Sequence, residues 1–195
     1  MKIFKYQDEK HYRKVQTEGN ILKLDRVWIK ESDIDYMSRV IKFDPKLILC
    51  HGSRNGAEIK YWNNRYPNAK VFGTEISTTA RSFPNTIRHD FQKPHDFFTG
   101  KCDIIYSNSF DHTYNPEKTL NVWKDQLNKR GLLFIELAWD INNSSSELDP
   151  LELDSEEEWY NLTLSCGLNC ESVMSRYKLN SDIKTGAIYL CTRME

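Results

Sequence analysis

A chain of 195 residues with 39% hydrophobic and 12% aromatic side chains suits one domain around one core. The net charge of −1, with both signs mixed along the chain, carries no electrostatic footprint of a nucleic-acid binder, and the mean hydropathy of −0.67 describes a polar surface. Five cysteines, an odd number, are expected as reduced, buried thiols of a cytoplasmic protein; Cys166 and Cys170 form a CxxxC with no matching Cys or His pair, so no metal site is expected. The opening MKIFKYQDEKHYRK lacks the apolar core of a signal peptide, and no apolar run approaches a membrane span.

The first 43 residues read as a helical extension. QDEKHYRKVQT suits a short helix, and SDIDYMSRVIKF a second, with Ser32 as its cap and Ile34, Met37 and Ile41 on one face. From residue 44 the pattern alternates. KLILC is a short buried strand. The next segment, GAEIKYWNNRYP, spaces Ile59, Trp62 and Tyr66 as a helix that Pro67 stops. AKVFGTE, NTIRHD and CDIIYSNS supply three further strands. NPEKTLNVWKDQLNKRG is the clearest helix, capped by Asn115, opened by Pro116 and ended by Gly131. GLLFIELA is a fifth strand. DSEEEWYNLTLSCG is a helix capped by Asp154, boxed by Glu157 and stopped by Gly167, and its acidic run suits the positive end of the helix dipole. CESVMSRYKL and GAIYLCTR are two closing strands.

This order predicts an α/β fold: a Rossmann-like three-layer sandwich whose mostly parallel sheet ends in an antiparallel strand pair, over one domain with core 44–195. Such sheets bind ligands beyond the carboxyl ends of their strands, at the point where strand order reverses. The turn CHGSRNG sits at such an end. Gly52 and Gly56 give it backbone freedom, and the helix that follows presents free N–H groups. Glu75 ends the next strand, 23 residues after Gly52, close to the interval of about 20 at which an acid meets ribose hydroxyls. The structural alternative is a tight turn and an inert strand-end carboxylate. A nicotinamide cofactor is disfavoured, because GxGxxG is absent.

The segments GTEIS, HDF, CDIIYSNSFDHTYNP and KRGLLFIEL resemble the successive motifs of class I S-adenosylmethionine-dependent methyltransferases, over residues 46 to about 139 and, with the closing strands, to 193. The resemblance implies S-adenosylmethionine as cofactor. Gly52, Ser53, Asn55 and Gly56 would line its methionine part. Glu75 would hold the ribose, Ile76 and Phe91 would pack at the adenine, and Asp90 would bond the adenine amine. Ser107 and Asn108 would face the amino-acid end and the substrate. Two departures stand out: Cys50 replaces the usual acid of the first motif, and Arg54 its middle glycine.

Methyl transfer from a sulfonium depends mainly on positioning, with a base needed for some oxygen acceptors. His112 is the candidate base, with Asp111 to orient it; the alternative is a solvated turn residue. Tyr114 and Glu136 are candidates for the acceptor pocket, with Trp139 and Asp140 as its wall. Asp103 is expected to cap a loop, and His51 either shapes the cofactor pocket or packs. In the extension, Trp28, Tyr36, Met37 and Arg39 either line the acceptor site or cover the sheet. The reading is methyl transfer to a small-molecule acceptor, without nucleic acid or membrane. Its alternative is a catalytically inactive module of the same fold that binds the cofactor or a protein partner.

Overall fold

The computed structural model describes residues 1–140, 145–176 and 184–194, and only the backbone of residues 139, 140, 175, 176, 184 and 185. The expected pocket wall at Trp139 and Asp140 therefore lies outside the described side chains, as does the end of the expected strand CESVMSRYKL.

In chain order the elements are β1 (Lys2–Ile3), α1 (Glu9–Leu22), α2 (Glu31–Ser38), β2 (Leu47–His51), α3 (Ala57–Arg65), β3 (Lys70–Glu75), β4 (Thr86–Arg88), β5 (Cys102–Ser107), α4 (Pro116–Gln126), β6 (Leu127–Asp140), β7 (Leu151–Glu152), α5 (Glu156–Ser165), β8 (Leu168–Arg176) and β9 (Lys184–Arg193). Seven strands form one sheet in the order β4-β3-β2-β5-β6-β9-β8, and β1 pairs with β7 separately. Strands β4 to β6 run parallel; β9 inserts antiparallel between β6 and β8. The expected sandwich with its closing antiparallel pair is what the chain forms.

Alternation within the strands builds the two faces. Ile48 and Cys50 of β2, Ile104 and Tyr106 of β5 and Phe134 of β6 pack with Ile34 and Met37 of α2 and Ile59 and Trp62 of α3. The intervening Leu49, Ile105, Leu133 and Ile135 point the other way, onto Trp123 of α4 and Trp159 of α5. Strand order reverses between β2 and β5, so their carboxyl ends diverge there and leave a crevice.

Several boundaries move from their expected places. Ser32 does not cap α2: the helix starts at Glu31, and the Lys30 amide donates to Asp33 Oδ2 at 2.7 Å. The helix expected to run to Gly131 stops at Gln126, because Leu127 already pairs with Cys102 and Arg193 bonds the carbonyl of Leu127 at 2.9 Å. Gly131 serves the sheet instead: a Cβ there would lie 2.8 Å from the Cys102 carbonyl. Ser155, not Asp154, caps α5, its hydroxyl accepting from the Glu158 amide at 3.2 Å. Ser155→Ala is expected to cost about 1 kcal/mol and Asp154→Ala less than half of that, read as urea midpoints. Asp103 caps a loop as expected, accepting from the amides of Lys46 and Leu47 at 2.7 and 2.9 Å.

The cysteine expectation holds for Cys50, Cys102 and Cys166, which are free and buried. It fails for Cys170 and Cys191, which form a disulfide between directly opposed residues of β8 and β9, with Cα atoms 4.0 Å apart. Neither residue type nor spacing showed this pairing, because it depends on the register of two antiparallel strands. No described helix is long and apolar enough to cross a membrane.

Candidate functional site

A cleft of about 530 Å³, its open mouth included, lies over the carboxyl ends of β2, β3 and β5. Its floor is the turn between β2 and α3. Gly52 and Gly56 both adopt left-handed backbone, at φ 71° and 76°. At Gly52 the missing side chain matters twice, since a Cβ would also fall 2.5 Å from Ser109 Oγ on the neighbouring loop. Ser53 anchors the turn through its amide to the Thr74 carbonyl at 3.0 Å.

Glu75 ends β3 on the cleft wall. Its Oε1 accepts from the Ser77 amide at 2.8 Å. Burial raises its pKa, opposed by that amide and by the fields of Arg54 and His112. Asp90 follows β4 and is 3% exposed. Its Oδ1 accepts from the Gln92 amide at 3.1 Å, while Oδ2 is buried without a hydrogen-bond partner; Arg13 Nη1 stands 4.0 Å off. Beside it Phe91 meets Trp123 edge-on at 5.4 Å. His112, in a short 3-10 turn after β5, presents Nδ1 to the Leu148 carbonyl at 2.7 Å. A carbonyl only accepts, so Nδ1 is the nitrogen that donates to it. Asp111 Oδ1 lies 3.9 Å from Nε2. Burial raises the Asp111 pKa, and the charge of Asp149 adds to the rise against the lowering field of His112. Donor atoms of Asp111, His112 and Asp149 fall within 4.8 Å of one another, a set able to hold a cation.

No protein-family model and no curated protein sequence matches the chain. Solved structures do. Burkholderia thailandensis 1,6-didemethyltoxoflavin-N1-methyltransferase, with S-adenosylhomocysteine bound, superposes at TM-score 0.76 with 9% identity, over 98% of this chain and 93% of that one. The plantazolicin methyltransferase BamL, also in complex with S-adenosylhomocysteine, gives 0.69 and 15% over 96% and 97%. A chain from the complex of the Haloferax volcanii Trm112 methyltransferase activator gives 0.69 and 15% over 98% and 100%.

The chain has the class I methyltransferase fold. Within the methyltransferase fold, the expected site residues divide into two groups. Gly52, Glu75, Ile76, Asp90, Phe91 and His112 line the cleft together. The others support it from behind. Ser53 is buried beneath the turn, against the position a Cβ of Gly73 would take. Asn55 donates to the carbonyls of Leu24 and Arg26 at 2.9 and 3.2 Å, tying the N-terminal segment to the turn, and Gly56 caps α3. Ser107 donates to the His51 carbonyl at 3.1 Å, and Asn108 reaches Glu58 Oε1 at 3.4 Å. Tyr114 packs on Tyr12, ring centroids 4.6 Å apart. Glu136 lies on the face of Tyr106, whose hydroxyl donates to it at 2.9 Å, and is not among the described residues lining the cleft. His51 is a packing residue: its ring stacks on Trp123 at 4.9 Å, both nitrogens are engaged at 2.8 Å, and burial pushes its pKa down to about 3.

The roof comes from α1, not from the residues singled out in the extension. Met37 is core, Trp28 and Tyr36 are exposed, and Arg39 sits over the Tyr36 ring at 5.2 Å. Tyr12, Gln16 and Gly19 of α1 face the cleft, one helical stripe apart. Gln16 Nε2 donates to the Leu148 carbonyl at 3.0 Å, and a Cβ on Gly19 would lie 2.5 Å from Leu148 Cδ2. A glycine in the middle of a helical stripe was the available sequence signal for that close approach. Glu58 was also missed. It sits in the first turn of α3, its Oε2 is buried without a hydrogen-bond partner, and its charge joins burial in raising the Cys50 thiol. A carboxyl thus stands near the position where the resemblance puts an acid and this chain has Cys50.

Proposed function

We propose that the protein binds S-adenosylmethionine in this cleft and transfers its methyl group to a small-molecule acceptor. The observation that carries the reading is Asp90 Oδ2, a buried acceptor without a hydrogen bond, its ion pair with Arg13 a long 4.0 Å, in the strand-end cleft that Glu75 also lines. A buried carboxylate oxygen left unsatisfied is costly, so a donor from a ligand fits it. An adenine amine at Asp90 and ribose hydroxyls at Glu75 supply donors to both acids, with Ile76 and Phe91 as apolar walls. The bound cofactor supplies an electrophilic methyl on sulfur.

The protein's own work is positioning and proton handling. The Gly52 turn and α1 hold the donor and exclude water, and an acceptor approaches through the mouth beside His112 and Leu148. His112 Nε2, its tautomer fixed by the Leu148 carbonyl, takes the proton of an oxygen or nitrogen acceptor as the new bond forms. Asp111 then steadies the imidazolium. A second reading, a module that binds cofactor or a protein partner without turnover, draws support from Arg54 and Cys50 and from the Haloferax neighbour's activator complex.

Calorimetric titration tests the cofactor. S-Adenosylhomocysteine and S-adenosylmethionine are expected to bind at micromolar concentration and NAD not at all. A folded protein that binds NAD, or neither sulfur nucleoside, would sink the proposal. Binding followed by transfer of a labelled methyl to none of a broad acceptor panel would favour the second reading.

A further inference from the structure

Arg54 stands at the centre of the β2–α3 turn in left-handed backbone, at φ 36°. A glycine takes that conformation without strain, whereas a long side chain does not. The side chain that tolerates this strain lines the cleft. Its Nη1 has one long bond, 3.5 Å, to the Arg26 carbonyl, and its Nε is buried without an acceptor. Among the described residues no carboxylate oxygen comes within 4.0 Å of the guanidinium, although the charges of Glu58, Glu75 and Asp111 reach it; the ion pairs around the cleft involve Arg13 and His112 instead. Lys23, at the end of α1, lines the same cleft and likewise has no carboxylate at that range, although its charge reaches Asp111.

Charge in the cleft is therefore arranged by position. Glu75 and Asp90 follow β3 and β4 and offer acceptors. Arg54, on the β2 turn, offers a cation with an unused buried donor, and Lys23, at the end of α1, a second cation. A ligand that fits both ends carries hydroxyl and amine donors at one end and an anion at the other. S-Adenosylmethionine is such a molecule, with an adenosine at one end and an α-carboxylate at the other. A guanidinium matches a carboxylate with two parallel N–H donors, which an ammonium cannot do.

We propose that Arg54 receives the α-carboxylate of the cofactor's methionine end, with Lys23 as a weaker second cation. The assignment rests on the S-adenosylmethionine reading of the cleft. It makes Arg54 a binding residue, since the carboxylate lies remote from the transferring methyl.

A pair of ligands isolates the carboxylate: S-adenosylhomocysteine and its decarboxylated analogue, S-adenosyl-3-thiopropylamine. Each is titrated calorimetrically into wild type, Arg54→Met, Arg54→Lys and Arg54→Gly. Wild type is expected to prefer S-adenosylhomocysteine by at least about tenfold. Arg54→Met and Arg54→Gly are expected to remove that preference, weakening S-adenosylhomocysteine about tenfold or more and the analogue less than about twofold; Arg54→Lys falls between. Arg54→Gly guards against misfolding, because glycine suits the left-handed position and its thermal midpoint is expected to stay at or above that of Arg54→Met. Equal weakening of both ligands, or undiminished S-adenosylhomocysteine binding in the variants, overturns the assignment while the cofactor reading stands. A folded wild type that binds neither ligand overturns both.

Discussion

Glu75→Ala is expected to weaken S-adenosylhomocysteine binding about a hundredfold while leaving the protein folded. The carboxyl does two jobs with two oxygens. Oε1 is committed to the Ser77 amide, which shapes the chain as it leaves β3. Glu75 lines the cleft, and in the proposed complex its remaining acceptor capacity would meet the two donors of a ribose diol. Hydrogen bonds to a charged acceptor are worth about 1.5–3 kcal/mol each, so losing this grip costs roughly 3 kcal/mol, or two orders of magnitude in affinity. Stability moves much less, because two effects oppose. The variant loses the Ser77 contact, but it also removes a buried group whose pKa is raised by desolvation. Glu75→Gln separates the jobs. It retains an oxygen for the Ser77 amide and gives up the charge, so an intermediate affinity with an unchanged thermal midpoint is expected. Calorimetry on the two variants reads the first effect and thermal unfolding the second. Undiminished binding in Glu75→Ala would place the ribose elsewhere.

What the sequence revealed, and what it hid, follows from which contacts are local. The turn was legible because its glycines answer a local demand, left-handed backbone at Gly52 and Gly56. Glu75 was legible because a parallel βα unit sets the interval from a glycine turn to the next strand end. The mostly parallel sheet followed from alternation of strand and helix, though its strand order did not. Features that depend on register or on distant chain segments were not legible. Leu127 has helical spacing with Leu120 and Trp123, yet pairing with Cys102 pulls it into β6. The Cys170–Cys191 bridge exists because two strands oppose those residues. Of the two readings open for the extension, Met37 covers the sheet, and the part of α1 that faces the cleft was not legible because what sets it there is Gly19 against Leu148, a contact 129 residues away in sequence. Ser107 and Asn108 were placed correctly in the chain, but their side chains turn back to bond His51 and Glu58, and strand position alone does not set that direction.

Glu58→Gln is expected to stabilise the protein at alkaline pH and to leave it nearly unchanged in mild acid. Burial raises the Glu58 pKa to about 7, despite its place in the first turn of α3 and the field of Arg54, and Glu136 is raised to about 7 by the same cause with Glu58 adding to it. A carboxyl with a folded-state value near 7 and an ordinary value of 4.5 binds more protons folded than unfolded between those limits. Stability therefore falls as pH rises through this window, by about 1.4 kcal/mol for each pH unit crossed, and levels off above it. For Glu58 the full effect is on the order of 3 kcal/mol, reached near pH 8. The wild-type profile alone does not isolate it. His51, held down to about 3 by burial, acts with the opposite sign, losing stability as pH falls from 6.5. The difference between variant and wild type cancels His51. That difference is expected near zero at pH 4.5–5 and roughly 2–3 kcal/mol in favour of Glu58→Gln at pH 8, some of it from relief of Glu136. Urea unfolding of both proteins at four pH values measures it. A difference that stays flat with pH would mean that Glu58 ionises in the folded state as readily as in water, and that its buried oxygen has a donor after all.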